Sequence, residues 1–350
     1  VLDVTVLIRT GKAFVENMKK NGKIVVLGDG GWGTTLSILL CRKGFAVTLW
    51  SPFEDYALYL DRHRTNPRYL KGIPIPRGLC ISSDISCLEG AGLVVAAVPS
   101  KYLRSVLLRG RDFISPQTPV VSVIKGIEDH TLMRMTEVIR QVWGRRPMVV
   151  LSGPTIAQEV AQGIPSTAVV SSPDAALMRR VQDMFMSPVF RIYTNPDTVG
   201  VELGGSLKNV IAIACGISDG LGFGTNAKAA IVARGLAEIS RLGAAMGARR
   251  DTFAGIAGLG DLVTTCFNPL SRNHSVGERI GKGEPVKHIL ASMKMVAEGV
   301  LTARSACGLA RRFRVSMPIS QEIYNVLFKH THPRMAVRNL MERKKKSEGV

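Results

Sequence analysis

Apolar positions along this chain fall into two regimes. Short, mostly apolar runs come first, at 24–27, 46–50, 93–98, 120–124 and 148–151, with shorter ones at 167–171 and 189–193. Their lengths read as strands. Between them lie segments of helical period, beginning with 34–43, which Gly44 ends. Strands without polar alternation need cover on both faces, so the pattern predicts a largely parallel sheet with helices on either side. After Asn195-Pro196 the strand-like runs stop. Helical patterns take over at 199–215, 227–246 and 318–329, with Gly and Asn punctuation at 216–226 and 255–260. A domain boundary is expected near 195–200. No internal repeat is visible.

The turn after the first strand carries the most specific signal. Gly28-Asp-Gly-Gly-Trp-Gly33 follows Ile24-Val-Val-Leu27 and opens the first helix. In this strand, turn and helix order, Gly28 permits the tight turn and Gly30 lets the backbone approach a pyrophosphate. Gly33 lets the helix pack closely on the strand. The phosphates would rest on free N–H groups at the helix start. With 35 glycines in the chain, the motif counts only because of its flanks.

Composition narrows the class. At 350 residues and 46% apolar, the chain is long enough for two globular domains. No apolar run reaches the roughly 18–20 residues that span a bilayer, and no secretory pattern precedes the first strand. Residues 1–17 do not resemble the rest of the chain. Met18-Lys-Lys-Asn-Gly-Lys looks like a natural start, which makes the segment before it an upstream extension. Six cysteines (41, 80, 87, 215, 266 and 307) form no C-x-x-C pair, and six histidines form no ligand pair. Disulfide, zinc and other metal sites are therefore not expected, and a reducing cytoplasm fits. The net charge of +19 is spread along the chain, apart from Arg343-Lys-Lys-Lys346. Without a nucleic-acid-reading motif, an attraction for phosphorylated small molecules is the more economical reading. The run itself reads as a solvated tail.

Chemistry should gather at the carboxyl ends of the strands, where open α/β sheets bind ligands. Val98-Pro-Ser100, Ile124-Lys-Gly126 and Ser152-Gly-Pro-Thr155 all lie there. Lys125, straight after a buried strand, is either a ligand group or a solvated loop end. Lys208 and Asn209 interrupt a small-residue helix that otherwise looks buried. A buried lysine is costly, and desolvation lowers its pKa toward the range of proton transfer. Catalysis and a place on the helix surface remain equally open for Lys208. Asp261 sits in the glycine turn Ala257-Gly-Leu-Gly-Asp261, where helix capping is the plain reading. Ser271-Arg-Asn273 combines a guanidinium with two further donors, suited to phosphate, although alone it is an ordinary loop sequence.

Taken together, these motifs resemble NAD(P)-dependent glycerol-3-phosphate dehydrogenases. The resemblance runs from about residue 22 to about 340. It rests on 28–34, Lys125-Gly126, Ser152-Gly-Pro-Thr155, 202–209, Gly220-Leu-Gly-Phe-Gly224, 257–261, Ser271-Arg-Asn273 and Val296-Ala-Glu-Gly299, in the family's order. It implies an α/β fold: an N-terminal Rossmann-type doubly wound sheet with an all-helical C-terminal domain and an active site between them. The domains would be a disordered extension at 1–21, a nucleotide domain at 22–197, a helical substrate domain at 198–342 and a basic tail at 343–350. The implied reaction interconverts sn-glycerol 3-phosphate and dihydroxyacetone phosphate with NAD or NADP, feeding glycerophospholipid synthesis.

On the same resemblance Lys208 is the general acid/base. Lys125 holds substrate and depresses the lysine pKa, and Asp261 orients Lys208 or a substrate hydroxyl. Gly153 and Thr155 line the substrate, while Ser271, Arg272 and Asn273 bind its phosphate. Gly28, Gly30, Gly31, Trp32, Gly33, Lys125, Ala157, Arg272, Val296 and Glu298 contact the cofactor. A cytoplasmic homodimer is the family expectation. No specific nucleic acid is implied, and the charge leaves room for peripheral membrane contact.

The chain departs from the family pattern in places. Asp29 and Gly31 vary a turn that is commonly Gly-Ala-Gly-Ser, and Asp29 is expected to point away from the pyrophosphate. Ile156 and Gln158 replace a common Phe and Lys. Pro52 stands where NADP-preferring members tend to carry Arg or His, so a modest NAD preference is expected. Glu54, Asp55, Arg62 and Arg64 are the nearby charges that could shift it. Other classes remain open: a Rossmann-type hydroxy-acid or sugar-acid dehydrogenase, which would not need Ser271–Asn273, and a non-catalytic nucleotide-binding protein, which could dispense with Lys208.

Overall fold

The computed structural model describes residues 15–20, 22–293, 296–345 and 347. The chain divides into two compact units. One comprises the residues up to Ile124 together with Met135–Thr198; the other comprises Lys125–Arg134 and the chain from Val199 onward.

The first unit is built on an eight-stranded sheet. Its strands are β1 (Lys23–Leu27), β2 (Ala46–Trp50), β5 (Cys80–Ser82), β6 (Ala91–Ala96), β7 (Val120–Ser122), β8 (Met148–Ser152), β9 (Ser166–Ser171) and β10 (Phe190–Asn195). They lie in the order β10-β9-β8-β7-β6-β1-β2-β5. All neighbours are parallel except β8 and β9. Ile24, Val25, Val26 and Leu27 are fully buried, which is why β1 needs no polar alternation. Crossover helices add one-sided cover: Met135–Trp143 buries Met135, Val138, Ile139 and Trp143 along a single stripe.

Two short strands, β3 (Thr65–Asn66) and β4 (Leu70–Pro74), pair separately and antiparallel. Neither these nor β5 show in the apolar pattern, because β3 and β5 span only two and three residues and β4 is interrupted by Lys, Gly and Pro. The strand expected at 93–98 begins and ends two residues earlier, and that at 120–124 stops at Ser122.

Residues 15–20, assigned from sequence to a disordered extension, are helical, and Met18 lies in the core beside Gly22 and Gly92. Burying its thioether gives this segment the apolar contact that an extension lacks. Residues 1–14 and residue 21, also assigned to that extension, lie outside the described residues, as do most of the last five.

The second unit is helical. Its centre is the helix Thr198–Gly220, buried continuously from Gly200 to Ser218. By length and hydropathy alone this helix could cross a membrane, but Glu202, Lys208 and Asn209 interrupt its apolar sequence and its apolar window is entirely buried inside the protein. Small residues let neighbours close on it: a Cβ on Gly216 would overlap the backbone of His274, and one on Gly277 would overlap that of Ile213.

The segment Lys125–Arg134 is fastened to this helical unit. Ser206 Oγ donates to Gly126 O at 3.1 Å and Asn209 Nδ2 to Lys125 O at 3.2 Å. Arg134 pairs with Glu202 at 2.5 Å and Arg304 with Asp129 at 2.7 Å. Ile127 is buried in the helical core. The sequence boundary, which keeps 125–134 in the nucleotide domain, misses this excursion.

Candidate active site

In the first unit, the turn after β1 shows a distinct physical reason for each of three glycines. Gly28 has φ 116°, and a Cβ there would sit 2.9 Å from Ala97 O. A Cβ on Gly33 would overlap Gly28 O, so only glycine lets the helix Gly31–Arg42 lie this close to the strand. Gly30 caps that helix with no side-chain bond, and a Cβ on it would meet nothing within 4 Å. Helix N-termini without a side-chain cap suit a pyrophosphate, and the space beside Gly30 lets a ligand approach the backbone there.

Gly31 and Ala157 are brought together: a Cβ on Gly31 would lie 3.6 Å from that of Ala157, and Thr35 Oγ1 donates to Ala157 O at 3.1 Å. Trp32 is half-buried, edge-on to Phe190, and its indole N–H has no partner among the described residues. Gly153 adopts φ 135° in the loop after β8, and Thr155 Oγ1 donates to its carbonyl at 3.1 Å.

Asp29 is buried, and its Oδ2 accepts from Ser51 Oγ at 2.7 Å, so the carboxylate turns toward the end of β2. Burial raises its pKa above the usual carboxylate range; the Ser51 hydroxyl and the charge of Arg68 act the other way. Glu54 and Asp55 are exposed at the start of the helix Glu54–His63. Arg64 is engaged by Leu79 O at 2.7 Å and Asp61 at 2.6 Å.

In the second unit, Lys125, Lys208 and Asp261 form one cluster. Lys208 is buried in the Thr198–Gly220 helix, which removes the helix-surface alternative. Asp261 opens the helix Asp261–Phe267 after the wide turn Ile256–Gly260. Its carboxylate does not cap that helix. Oδ2 accepts from Lys125 Nζ at 2.8 Å and Oδ1 accepts from Lys208 Nζ. Burial lowers the pKa of Lys208 to about 8, against the attraction of Asp261 and with the help of Lys125.

Thr265, which nothing in the sequence singles out, receives a further bond from Lys208 Nζ at 2.5 Å and donates to Asp261 O at 2.7 Å. Its one signal is its place four residues after Asp261, on the same helix face.

Ser271 caps the helix Arg272–Gly281 by accepting from His274 N at 3.3 Å. Asn273 is buried, donating to Asn209 Oδ1 and accepting from Gly299 N, both at 2.9 Å. Arg272 is exposed and donates to Val296 O at 2.8 Å. Its other guanidinium N–H groups donate to no described residue. Glu298 begins the helix Glu298–Arg312 two residues later. Arg272, Asn273, Val296 and Glu298 are thus gathered at one place, whereas Ser271 is occupied as a cap.

Two profiles of one family match the chain in succession. The NAD-dependent glycerol-3-phosphate dehydrogenase N-terminus profile matches residues 23–178, and the C-terminus profile of the same family matches residues 197–338. A glycerol-3-phosphate dehydrogenase [NAD(P)+] from Geobacter sp. (strain M21) is 47% identical over 332 residues, covering 94% of this chain and 99% of that protein. A protein of the same name from Geobacillus kaustophilus (strain HTA426) is 47% identical over 329 residues, covering 93% and 96%. The crystal structure of glycerol-3-phosphate dehydrogenase from Coxiella burnetii superposes with a TM-score of 0.89 at 36% identity, covering 92% of this chain and 99% of that one. The chain belongs to the NAD-dependent glycerol-3-phosphate dehydrogenase family.

Proposed function

We propose that the chain interconverts sn-glycerol 3-phosphate and dihydroxyacetone phosphate with NAD(H) or NADP(H), and that Lys208 is its proton-transfer group. The observation that carries the assignment of Lys208 is its burial on Asp261 and Thr265 with a pKa lowered to about 8. Near neutral pH such a group can both give and take a proton.

When bound, the nicotinamide coenzyme supplies or accepts a hydride. In reduction Lys208 donates its proton to the carbonyl oxygen of the substrate; in oxidation it recovers that proton from the hydroxyl. Asp261 and Thr265 fix the direction of the ammonium. Lys125 binds substrate and coenzyme, and its charge keeps Lys208 from being held too tightly as a cation. Gly153 and Thr155 line the substrate, and Ser271, Arg272 and Asn273 serve its phosphate. Arg272 carries most of that interaction through its unused N–H groups.

Gly28, Gly30 and Gly33 seat the pyrophosphate. Gly31, Trp32, Ala157, Arg272, Val296 and Glu298 complete the coenzyme contacts. The product feeds glycerophospholipid synthesis, and the protein works as a cytoplasmic homodimer.

The test is a substrate comparison. Purified protein should oxidise reduced nicotinamide with dihydroxyacetone phosphate and hardly at all with unphosphorylated dihydroxyacetone. Equal rates on both would remove the substrate assignment.

A further inference from the structure

We propose that Asp29 sets the coenzyme preference, by presenting at the end of β2 the carboxylate with which NAD sites hold a ribose 2′-hydroxyl and turn away a 2′-phosphate. This rests on the reading of the turn after β1 as the dinucleotide site. In such sites the acidic group ordinarily comes from the end of β2 itself, and an arginine nearby serves NADP instead. Here β2 is followed by Ser51, Pro52 and Phe53, none of which is charged. Glu54 and Asp55 are exposed on the helix that comes next, whereas the strand tip at Trp50 and Ser51 is buried. The carboxylate arrives from β1 instead.

Asp29 lies between the two glycines of the turn, is 6% exposed, and its Oδ2 is bound by the Ser51 hydroxyl at 2.7 Å. The carboxylate also accepts from its own backbone N–H but bonds to no other described residue, and a carboxylate has lone pairs to spare for a ligand hydroxyl.

The position is fixed rather than incidental. The carbonyl of Asp29 accepts from Thr34 Oγ1 at 3.0 Å and from Asn66 Nδ2 at 2.8 Å. Asn66 is buried in turn and held by the Tyr56 hydroxyl at 2.7 Å. These bonds fix the backbone of Asp29, and the Ser51 hydroxyl holds its carboxylate at the end of β2.

Basic groups nearby do not neutralise it. Arg64 is committed to Leu79 and Asp61. Arg68 is the basic group whose charge reaches Asp29, yet it makes no ion pair with it and stacks over the Tyr56 ring at 4.0 Å. A 2′-phosphate would add two further negative charges beside a buried carboxylate, where the effective dielectric is low.

Calorimetric titration of NADH and NADPH into wild type, Asp29→Asn and Asp29→Ala at one pH and ionic strength tests this without turnover. Wild type should bind NADH at least about tenfold more tightly than NADPH. Both variants should narrow that ratio by on the order of tenfold, mainly by gaining NADPH affinity. Asp29→Ala restores the alanine common in the resembling turn and guards against a fold defect in Asp29→Asn. Binding of both coenzymes with a ratio the variants do not move overturns the role of Asp29 alone. So does a wild type that prefers NADPH and loses that preference in Arg68→Ala. Binding of neither coenzyme overturns the dinucleotide site itself.

Discussion

Lys125 and Lys208 meet on a single buried carboxylate, one on each oxygen of Asp261. Two cations on one anion leave the cluster with a net positive charge. That charge suits a substrate that carries a phosphate and develops an alkoxide. Burial first, and the charge of Lys125 after it, keep Asp261 from restoring the pKa of Lys208 to that of an ordinary lysine. Lys208→Met keeps the length of the side chain and removes the proton. Turnover should fall by about 10²–10⁴-fold, the usual contribution of a general acid/base. Nucleotide binding, measured by fluorescence titration, should remain nearly intact. Turnover close to wild type would return Lys208 to a structural part.

The pH profiles depend on the same group. Reduction needs protonated Lys208, so kcat/KM for dihydroxyacetone phosphate should decline above a midpoint near 8. Oxidation needs the neutral amine, so kcat/KM for glycerol 3-phosphate should rise through the same midpoint. Lys125→Met removes a neighbouring positive charge, which favours the charged form of Lys208 and moves both midpoints to higher pH. A midpoint that stays in place would detach Lys125 from the electrostatics of Lys208.

Arg272→Ala should act on substrate binding more than on the chemical step. A lost charge-assisted contact is worth about 1.5–3 kcal/mol, so KM for dihydroxyacetone phosphate should rise on the order of 10–100-fold. Among the described residues the side chain makes one hydrogen bond, to Val296 O, so the melting temperature should change little. An unchanged KM removes the phosphate role.

Two glycines of one turn should separate fold from binding. In Gly33→Ala the new methyl overlaps Gly28 O, and the variant should melt well below wild type. In Gly30→Ala the methyl points into open space, and the melting temperature should stay while nucleotide affinity drops. Calorimetry of both variants decides; retained affinity in Gly30→Ala would mean that no ligand approaches that atom.

Buried regularity was the most legible part of the sequence. The strands at 24–27, 46–50 and 148–151 announce themselves because both faces are covered and every position is apolar or small. The β3–β4 pair is silent because two to five residues containing Gly and Pro carry no period. Lys208 stood out as a charge in an apolar helix, but a helix apolar all round has no polar face. Periodicity therefore could not say whether the lysine points out or in. Asp261 looked like a cap because the glycines before it resemble a helix start, and its two lysine partners are 53 and 136 residues away. Thr265 was invisible for the opposite reason: a threonine inside a helix usually signifies nothing.

The excursion of Lys125–Arg134 bears on how the molecule is made. These ten residues leave the ribosome well before Glu202, Ser206, Asn209 and Arg304, the residues that fasten them. During synthesis the strands on either side of the excursion are complete while Lys125 and Arg134 still wait for their counterparts. Residues 199–350 expressed alone would lack Lys125, and the buried carboxylates of Asp261 and Glu202 would each lose a cation they were built around. Cutting the gene at the apparent boundary would divide the lysine pair between two products, so reassembly of the fragments should restore what neither holds.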